Sequence, residues 1–233
     1  MNIKNYILTS DKLINQTIEM IEHFYKKYYT NSEVIVLGYK SPTYESSFIK
    51  FQSLGIDTGP NSVCEQLYNY FSNINDKYFI FEVDDKPIIN KVNTELINDL
   101  INLLNNDSSI GRIGLTFDNT YRKYKIFNEV KGIKYYINTY GEKHKNSATN
   151  SIWRKEYFIK YLKNYNNLWE WEVDNYNYTL NDNYKIIGTI PAVTDFIHLF
   201  QRGLLKDDWH TSPHTNNKLD NYDFQKIKKI YNI

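Results

Sequence analysis

Through about the first hundred residues, short apolar runs alternate with longer amphipathic ones, the pattern of βα units that feed a mainly parallel sheet. Asn5 to Thr9 reads as the first strand. Ser10 or Asp11 can cap a helix that reaches Tyr29, with Leu13, Ile14, Thr17, Ile18, Ile21 and Phe24 recurring on one face. Glu33 to Tyr39 carries the continuous run Val-Ile-Val-Leu of a strand buried on both faces, and Phe48 to Leu54 is a weaker strand. Gly55, Gly59 and Pro60 break the chain, and Asn61 or Ser62 caps a helix to Asn73 with Val63, Leu67, Tyr70 and Phe71 inward. Tyr78 to Val83 is the clearest central strand, followed by a helix over Asn93 to Asn105 and a strand over Arg112 to Phe117. The order is β-α-β-β-α-β-α-β. Beyond Asp118 the periodicity weakens: a hairpin is expected at Tyr124 to Tyr140, a helix at Ser151 to Asn164, a strand at Lys185 to Ile190, a helix at Val193 to Leu205 and a lysine-rich helix at the end. No repeat, linker or low-complexity block divides the 233 residues, so one α/β domain with helices flanking its sheet is expected.

The junction after the central strand is chemically unusual, because an apolar run delivers Glu82, Asp84 and Asp85 within four positions. In an open α/β sheet ligands gather at the carboxyl ends of strands. Glu82 and Asp84 are two apart on an extended chain and so share a side, with Asp85 at the turn. Clustered carboxylates repel one another unless a cation or protons relieve them. Two or three hard oxygen ligands suit Mn²⁺ or Mg²⁺, which can bridge the diphosphate of a nucleotide.

Tyr78-Phe-Ile-Phe81 followed by Glu82-Val-Asp-Asp85 resembles the DxD motif of GT-A glycosyltransferases, with Glu in place of the first acid. The helix and turn over Asn61 to Tyr78 extend that resemblance, which covers about 200 residues. It implies a Rossmann-like GT-A fold, with residues 1–117 as the nucleotide-binding half and 118–233 as the acceptor side. It also implies metal ligation by Glu82, Asp84 and Asp85, contacts from Glu82 and Asp84 to the sugar nucleotide, and further donor contacts from Thr9, Ser10 and, more weakly, Tyr39. Leu168-Trp-Glu-Trp-Glu172 is similar to a Trp-x-aromatic-Glu segment that closes the acceptor side in several such families. Trp169 and Trp171 then offer an aromatic wall for a sugar, while Glu172, with Glu170 as alternate, is the expected general base of an inverting transfer. The four residues alternate with period two, so on a strand both acids would share one face.

The activity implied is transfer of a sugar from a nucleotide-diphosphate donor, UDP-linked by preference, to a hydroxyl on a glycan or other acceptor. The chain resembles small bacterial and large-DNA-virus enzymes that build surface glycans, and the heavy use of Asn, Lys, Ile and Tyr fits an AT-rich, viral or low-GC bacterial source. Two alternatives stay open: a nucleotidyltransferase, whose glycine-rich basic stretch Ser10-Asp-Lys-Leu13 lacks, and a non-catalytic carbohydrate-binding module. The late histidines His198, His210 and His214 are candidates to complete a metal shell, His198 reading rather as a packed helix residue and the segment Asp208 to His214 as a loop able to fold over a nucleotide. Arg154, Arg202, Lys206 and the final lysines are weaker phosphate or acceptor contacts. A formal charge of +1 gives no field that favours nucleic acid or an acidic membrane. Only Tyr6 to Leu8 is apolar near the start, so neither a signal peptide nor a membrane span is expected. Cys64, the single cysteine, excludes an intramolecular disulfide and suits the cytoplasm. No Walker or dinucleotide glycine loop is present.

Overall fold

The computed structural model describes residues 3–138, 146–174, 182–201 and 204–233. The chain runs β1 (Lys4–Leu8), α1 (Ile14–Tyr28), β2 (Glu33–Gly38), β3 (Ile49–Ser53), α2 (Val63–Asn73), β4 (Tyr78–Val83), α3 (Thr94–Asn106) and β5 (Ile110–Gly114). Then follow β6 (Tyr124–Val130), β7 (Ile133–Asn138), β8 (Ser151–Arg154), α4 (Lys155–Leu162), α5 (Leu168–Val173), β9 (Lys185–Ile190), the short pair β10 (Phe200–Gln201) and β11 (Leu204–Leu205), and α6 (Asn221–Tyr231). Nine strands form one sheet in the order β3-β2-β1-β4-β8-β5-β9-β7-β6. Pairing is parallel through β3-β2-β1-β4 and between β5 and β9. Strand β8 enters antiparallel between β4 and β5, and the β6–β7 hairpin adds antiparallel strands beyond β9. The α/β class is as expected, and the antiparallel strands make the sheet mixed.

Strand alternation divides the core between two faces. Ile7 and Ile80 turn toward α1, α3 and α6, where Ile18, Phe24, Leu100 and Ile227 pack. Tyr6, Leu8, Phe79 and Phe81 turn toward α2, α4 and α5, against Phe71, Phe158 and Trp171. The chain leaves β1 for β2 on one side and later returns as β4 on the other. The carboxyl ends of β1 and β4 therefore flank a topological switch point, where a ligand crevice is expected.

Several local expectations differ from the structure, among them the fifth strand, which spans Ile110–Gly114 and not Arg112 to Phe117. Ser151 to Arg154 is the inserted strand β8, and only Lys155–Leu162 of that stretch is helical. Residues 193–199 are not a helix but run beside 85–89, with Ile89 N–H donating to the Asp195 carbonyl and Leu199 N–H to that of Asp85. The segment Leu168 to Val173, which its period-two alternation left open as a strand, is helical. Ser10 makes no side-chain cap to the helix that follows, nor does Ser62, whereas Asn93 accepts from Leu96 N–H at 3.1 Å. Thr139, Tyr140, Arg202 and Gly203 lie outside the described residues.

Helix α6 docks on α1 through Asp223, which is fully buried and contacts His23 at 2.8 Å, Lys27 at 2.8 Å and the Tyr28 hydroxyl at 2.6 Å. Burial pushes this carboxyl up, but those three donors outweigh it and hold it at about 2, below the ordinary 3.8. Because the folded value lies below the unfolded one, its contribution is present above pH 4 and lost as pH falls toward 2. A loss of about 1–2 kcal/mol over that window is expected from urea melts, discounted because Lys27 is a third exposed. Asp223→Asn should flatten that limb of the stability curve.

Candidate functional site

The carboxyl ends of β1, β2 and β4 open into a cleft of about 510 Å³. Thr9, Ser10, Tyr39, Asp84 and Trp169 all line it, together with Asp57, Gly59, Pro60, Val63 and Asn167. The loop after β3 is held in place by Gln66, which accepts from the Tyr39 hydroxyl at 2.7 Å and donates to the Ile56 carbonyl at 2.9 Å. Trp169 stands at the rim with 71% of its surface exposed. A second cleft of about 330 Å³ lies against α1 and α6, lined by Ser10, Lys12, Thr17, Asp84, Asp85, Phe200 and Tyr231. Asp84 borders both clefts, so it occupies the junction between them.

The three acids of the strand end do not share one environment. Glu82 is buried beneath α1, where Oε1 accepts from the Tyr25 hydroxyl and Oε2 from Asn150 Nδ2 at 2.8 Å. Alternation does place it on the side of Asp84, but two residues down the strand, about 7 Å deeper into the sheet. This corrects the expectation that Glu82 joins a metal shell or touches the donor. Burial, only partly offset by its two donors, pushes the Glu82 carboxyl up to about 7. Asp84 accepts from the Thr9 hydroxyl, and burial, partly offset by that bond, together with the charge of Asp85 raises it to about 7 as well. Asp85 Oδ2 lies 2.9 Å from His198 Nε2, while its Oδ1 is buried with no hydrogen-bond partner among the described residues.

Among the described residues no three His, Cys, Asp or Glu side chains converge as a metal shell. Asp84 and Asp85 nevertheless suit a cation: one carboxylate is desolvated beside another, and one buried oxygen has no donor among the described residues. Glu82 does not suit one. Its raised value predicts instead that stability falls as pH rises from about 4.5 through 7, because the unfolded carboxyl releases its proton first. Glu82→Gln removes the buried charge while retaining the shape. Thermal and urea melts should show it about 2 kcal/mol more stable than the parent at pH 8, with no gain at pH 4.

The tryptophan and glutamate segment is also rearranged. Trp171 is fully buried against Trp153 and Phe158, which corrects its expected place in a sugar-stacking wall. Residues two apart on a helix point about 200° around the axis, so Trp169 faces out when Trp171 faces in. Glu170 accepts from Asn166 N–H at 3.3 Å, a bond local to the start of α5. Glu172 Oε1 accepts from Ala148 N–H and ties α5 to the segment before β8. Neither acid lines the two clefts described above.

Of the remaining candidates, Arg154 is buried and donates to the carbonyls of Leu104, Asp107 and Ile110, which closes the end of α3. Lys206 pairs with Asp208 at 3.3 Å and Lys226 with Glu19 at 2.7 Å. His198 is the partner of Asp85 and not a helix residue. The loop carrying His210 packs on α6, with Trp209 stacked on Phe224 at 5.1 Å, and neither residue lines the two clefts.

An ion pair that sequence reasoning missed lies past β5, where His214 Nε2 is 3.0 Å from Asp118 Oδ1. The signal for it was present: Asp118, like Asp84, is an acid that directly follows an apolar strand. Burial raises the Asp118 carboxyl, but His214 and the charge of Lys86 outweigh it and hold it below the usual range.

No family model matches the chain, and no characterised protein sequence matches it. Solved structures do match in fold. TarS from S. aureus, residues 1–349 in complex with UDP-GlcNAc, is 12% identical over 99% of this chain and 65% of that one, with a TM-score of 0.50. HddC from Yersinia pseudotuberculosis is 11% identical over 98% and 99% of the two chains at a TM-score of 0.47. An apo UDP-glucose pyrophosphorylase is 10% identical over 85% and 93% at 0.47. This chain thus spans about two-thirds of the TarS chain it matches and shares with it a Rossmann-like α/β fold, one large central sheet flanked by helices.

Proposed function

We propose that this protein is a glycosyltransferase that takes a sugar from a nucleotide-diphosphate donor, UDP-linked by preference, and delivers it to a hydroxyl on a glycan or other acceptor. The observation that carries this reading is the cleft at the β1–β4 switch point, which gathers Thr9, Ser10, Tyr39, Asp84 and Trp169 around one volume large enough for a nucleoside. Trp169 offers an exposed ring for a base or sugar, and Thr9 and Ser10 offer hydroxyls at the mouth of the first strand. Asp84 and Asp85 would hold Mn²⁺ or Mg²⁺, which when bound neutralises the charge that builds on the departing diphosphate. The fold shared with a UDP-GlcNAc-bound TarS supports the same donor class.

The cleft belongs to the donor, and the acceptor approaches from the β5 side. Glu172, already engaged by Ala148 N–H, serves this scheme as an anchor for α5. A nucleotidyltransferase would need cationic and backbone groups around a triphosphate after β1, where this chain has Lys12 as its one cation between β1 and α1. The test is nucleotide release. Incubation with UDP-glucose or UDP-N-acetylglucosamine and Mn²⁺ should liberate UDP, whereas incubation with UTP and a sugar 1-phosphate should liberate no pyrophosphate; the reverse pattern would replace this reading with nucleotidyl transfer.

A further inference from the structure

Asp118 and His214 are brought together from distant parts of the chain, the one in the turn after β5 and the other in the turn before α6. The turn that carries His214 is built on Asp195, a buried carboxylate that accepts from Ser212 Oγ at 2.6 Å, Thr215 Oγ1 at 2.6 Å and Asn217 Nδ2 at 3.1 Å. Ser212 Oγ in turn accepts from the His214 N–H at 3.2 Å. The imidazole is walled by Phe117, Tyr121 and Phe196, with ring centroids 5.1–6.2 Å away. Its Nε2 lies 3.0 Å from Asp118 Oδ1, an ion-pair contact and not an aligned hydrogen bond. Its Nδ1 meets the Tyr121 hydroxyl at 2.9 Å, and Tyr121 is 70% exposed. One nitrogen thus faces a carboxylate and the other a displaceable hydroxyl at the surface.

The pair lies at the carboxyl edge of the sheet, outside the lining of both clefts. Strands β4 and β5 are both antiparallel to β8, so their carboxyl ends emerge together, with Asp84 beyond one and Asp118 beyond the other. One strand, β8, stands between β4 and β5, and Asp118 sits four residues past the end of β5. Lys86 bridges the gap, its ammonium 5.9 Å from the Phe196 ring that contacts His214.

We propose that His214 is the general base of the transfer, positioned by Asp118, and that the acceptor hydroxyl takes the place of the Tyr121 hydroxyl on Nδ1. This rests on the glycosyltransferase reading. The hydroxyl oxygen bonds to the anomeric carbon of the donor sugar, and its proton passes to His214 Nδ1. The bond from that carbon to the diphosphate oxygen breaks, and the electron pair leaves with the nucleoside diphosphate. Asp118 carries the charge that stabilises the resulting imidazolium, the logic of any carboxylate–imidazole–hydroxyl relay. Lys86 from the β4 side and Arg112 from β5 act on Asp118 as charges of opposite sign.

The experiment uses the full chain with Mn²⁺ and UDP-N-acetylglucosamine or UDP-glucose as probes, water standing in for the acceptor, and follows UDP release alongside calorimetric donor affinity. His214→Gln and Asp118→Asn should each lower turnover at least about 100-fold with donor affinity within about threefold of the parent. Added imidazole should restore turnover in His214→Gly, a recovery that a purely structural histidine would not give. Glu172→Gln should lose far less. Parent-like turnover in folded His214→Gln, or loss confined to Glu172→Gln, overturns the assignment; should His214→Gln fail to fold, undiminished turnover in Asp118→Asn does the same. Absence of UDP release by the parent protein overturns the transferase reading itself and this assignment with it.

Discussion

Asp84→Asn is expected to weaken Mn²⁺-dependent binding of a nucleotide sugar by at least about 100-fold, close to 3 kcal/mol. The substitution retains shape, and its amide oxygen can still accept from Thr9, so the loss reports on charge and not on folding. Asp84 is the acid at the junction of both clefts, and its carboxyl is raised to about 7 by burial and by the neighbouring Asp85. A divalent cation binds the ionised form, so donor affinity in the parent should rise as pH increases through 7, while the Asn variant should show no such slope. Melting temperature should hold steady or climb, since a desolvated charge has been removed. Calorimetric titrations at pH 6 and pH 8 decide it, and an Asn variant that binds within threefold of the parent would take Asp84 out of the donor site.

Trp171→Ala should destabilise the fold by about 3–5 kcal/mol, the range for truncating a buried aromatic ring. The ring is fully enclosed by Trp153, Phe158 and the strands below them, and a vacancy there has no means of collapse without moving α5. Trp169→Ala should behave oppositely. With 71% exposure at the cleft rim it contributes little to folding, and its removal should instead cost about tenfold in donor affinity, the scale of one lost stacking contact. Urea melts paired with donor titrations separate the two effects. Equal loss of stability from both substitutions would mean that the Trp169 ring is not the cleft's rim.

The contrast between these tryptophans shows where local pattern ceased to be informative. Trp-Glu-Trp-Glu alternates with period two, and on a strand both rings would share a face; six residues of helix place them on opposite sides. Ser151 to Arg154 has the composition of a helix start, yet it pairs with β4 and β5, a long-range choice that no window of a few residues encodes. The segment around Asp195 is similar: it is held by backbone bonds to residues 85–89, more than a hundred positions earlier. By contrast β1, β2 and β4 were legible because their apolar runs are nearly continuous, and α1, α2 and α3 because they are strongly amphipathic. The acidic strand end was also legible as a place where acids gather at the carboxyl edge, and there Asp84 borders both clefts while Glu82 borders neither. Whether Glu82 meets a cation or the Tyr25 hydroxyl depends on how α1 covers the sheet, which is settled by packing. The Asp118–His214 pair joins residues 96 positions apart and carries no spacing motif.

The central claim, that this cleft turns over a nucleotide sugar, is tested most directly by phosphorus NMR of UDP-N-acetylglucosamine or UDP-glucose incubated with the protein and Mn²⁺. The account predicts resonances of free UDP growing with time, dependent on the metal and absent with Asp84→Asn. An unchanged diphosphate spectrum after prolonged incubation with these and with GDP- and dTDP-sugars would contradict it and would favour a protein that binds carbohydrate without transferring it.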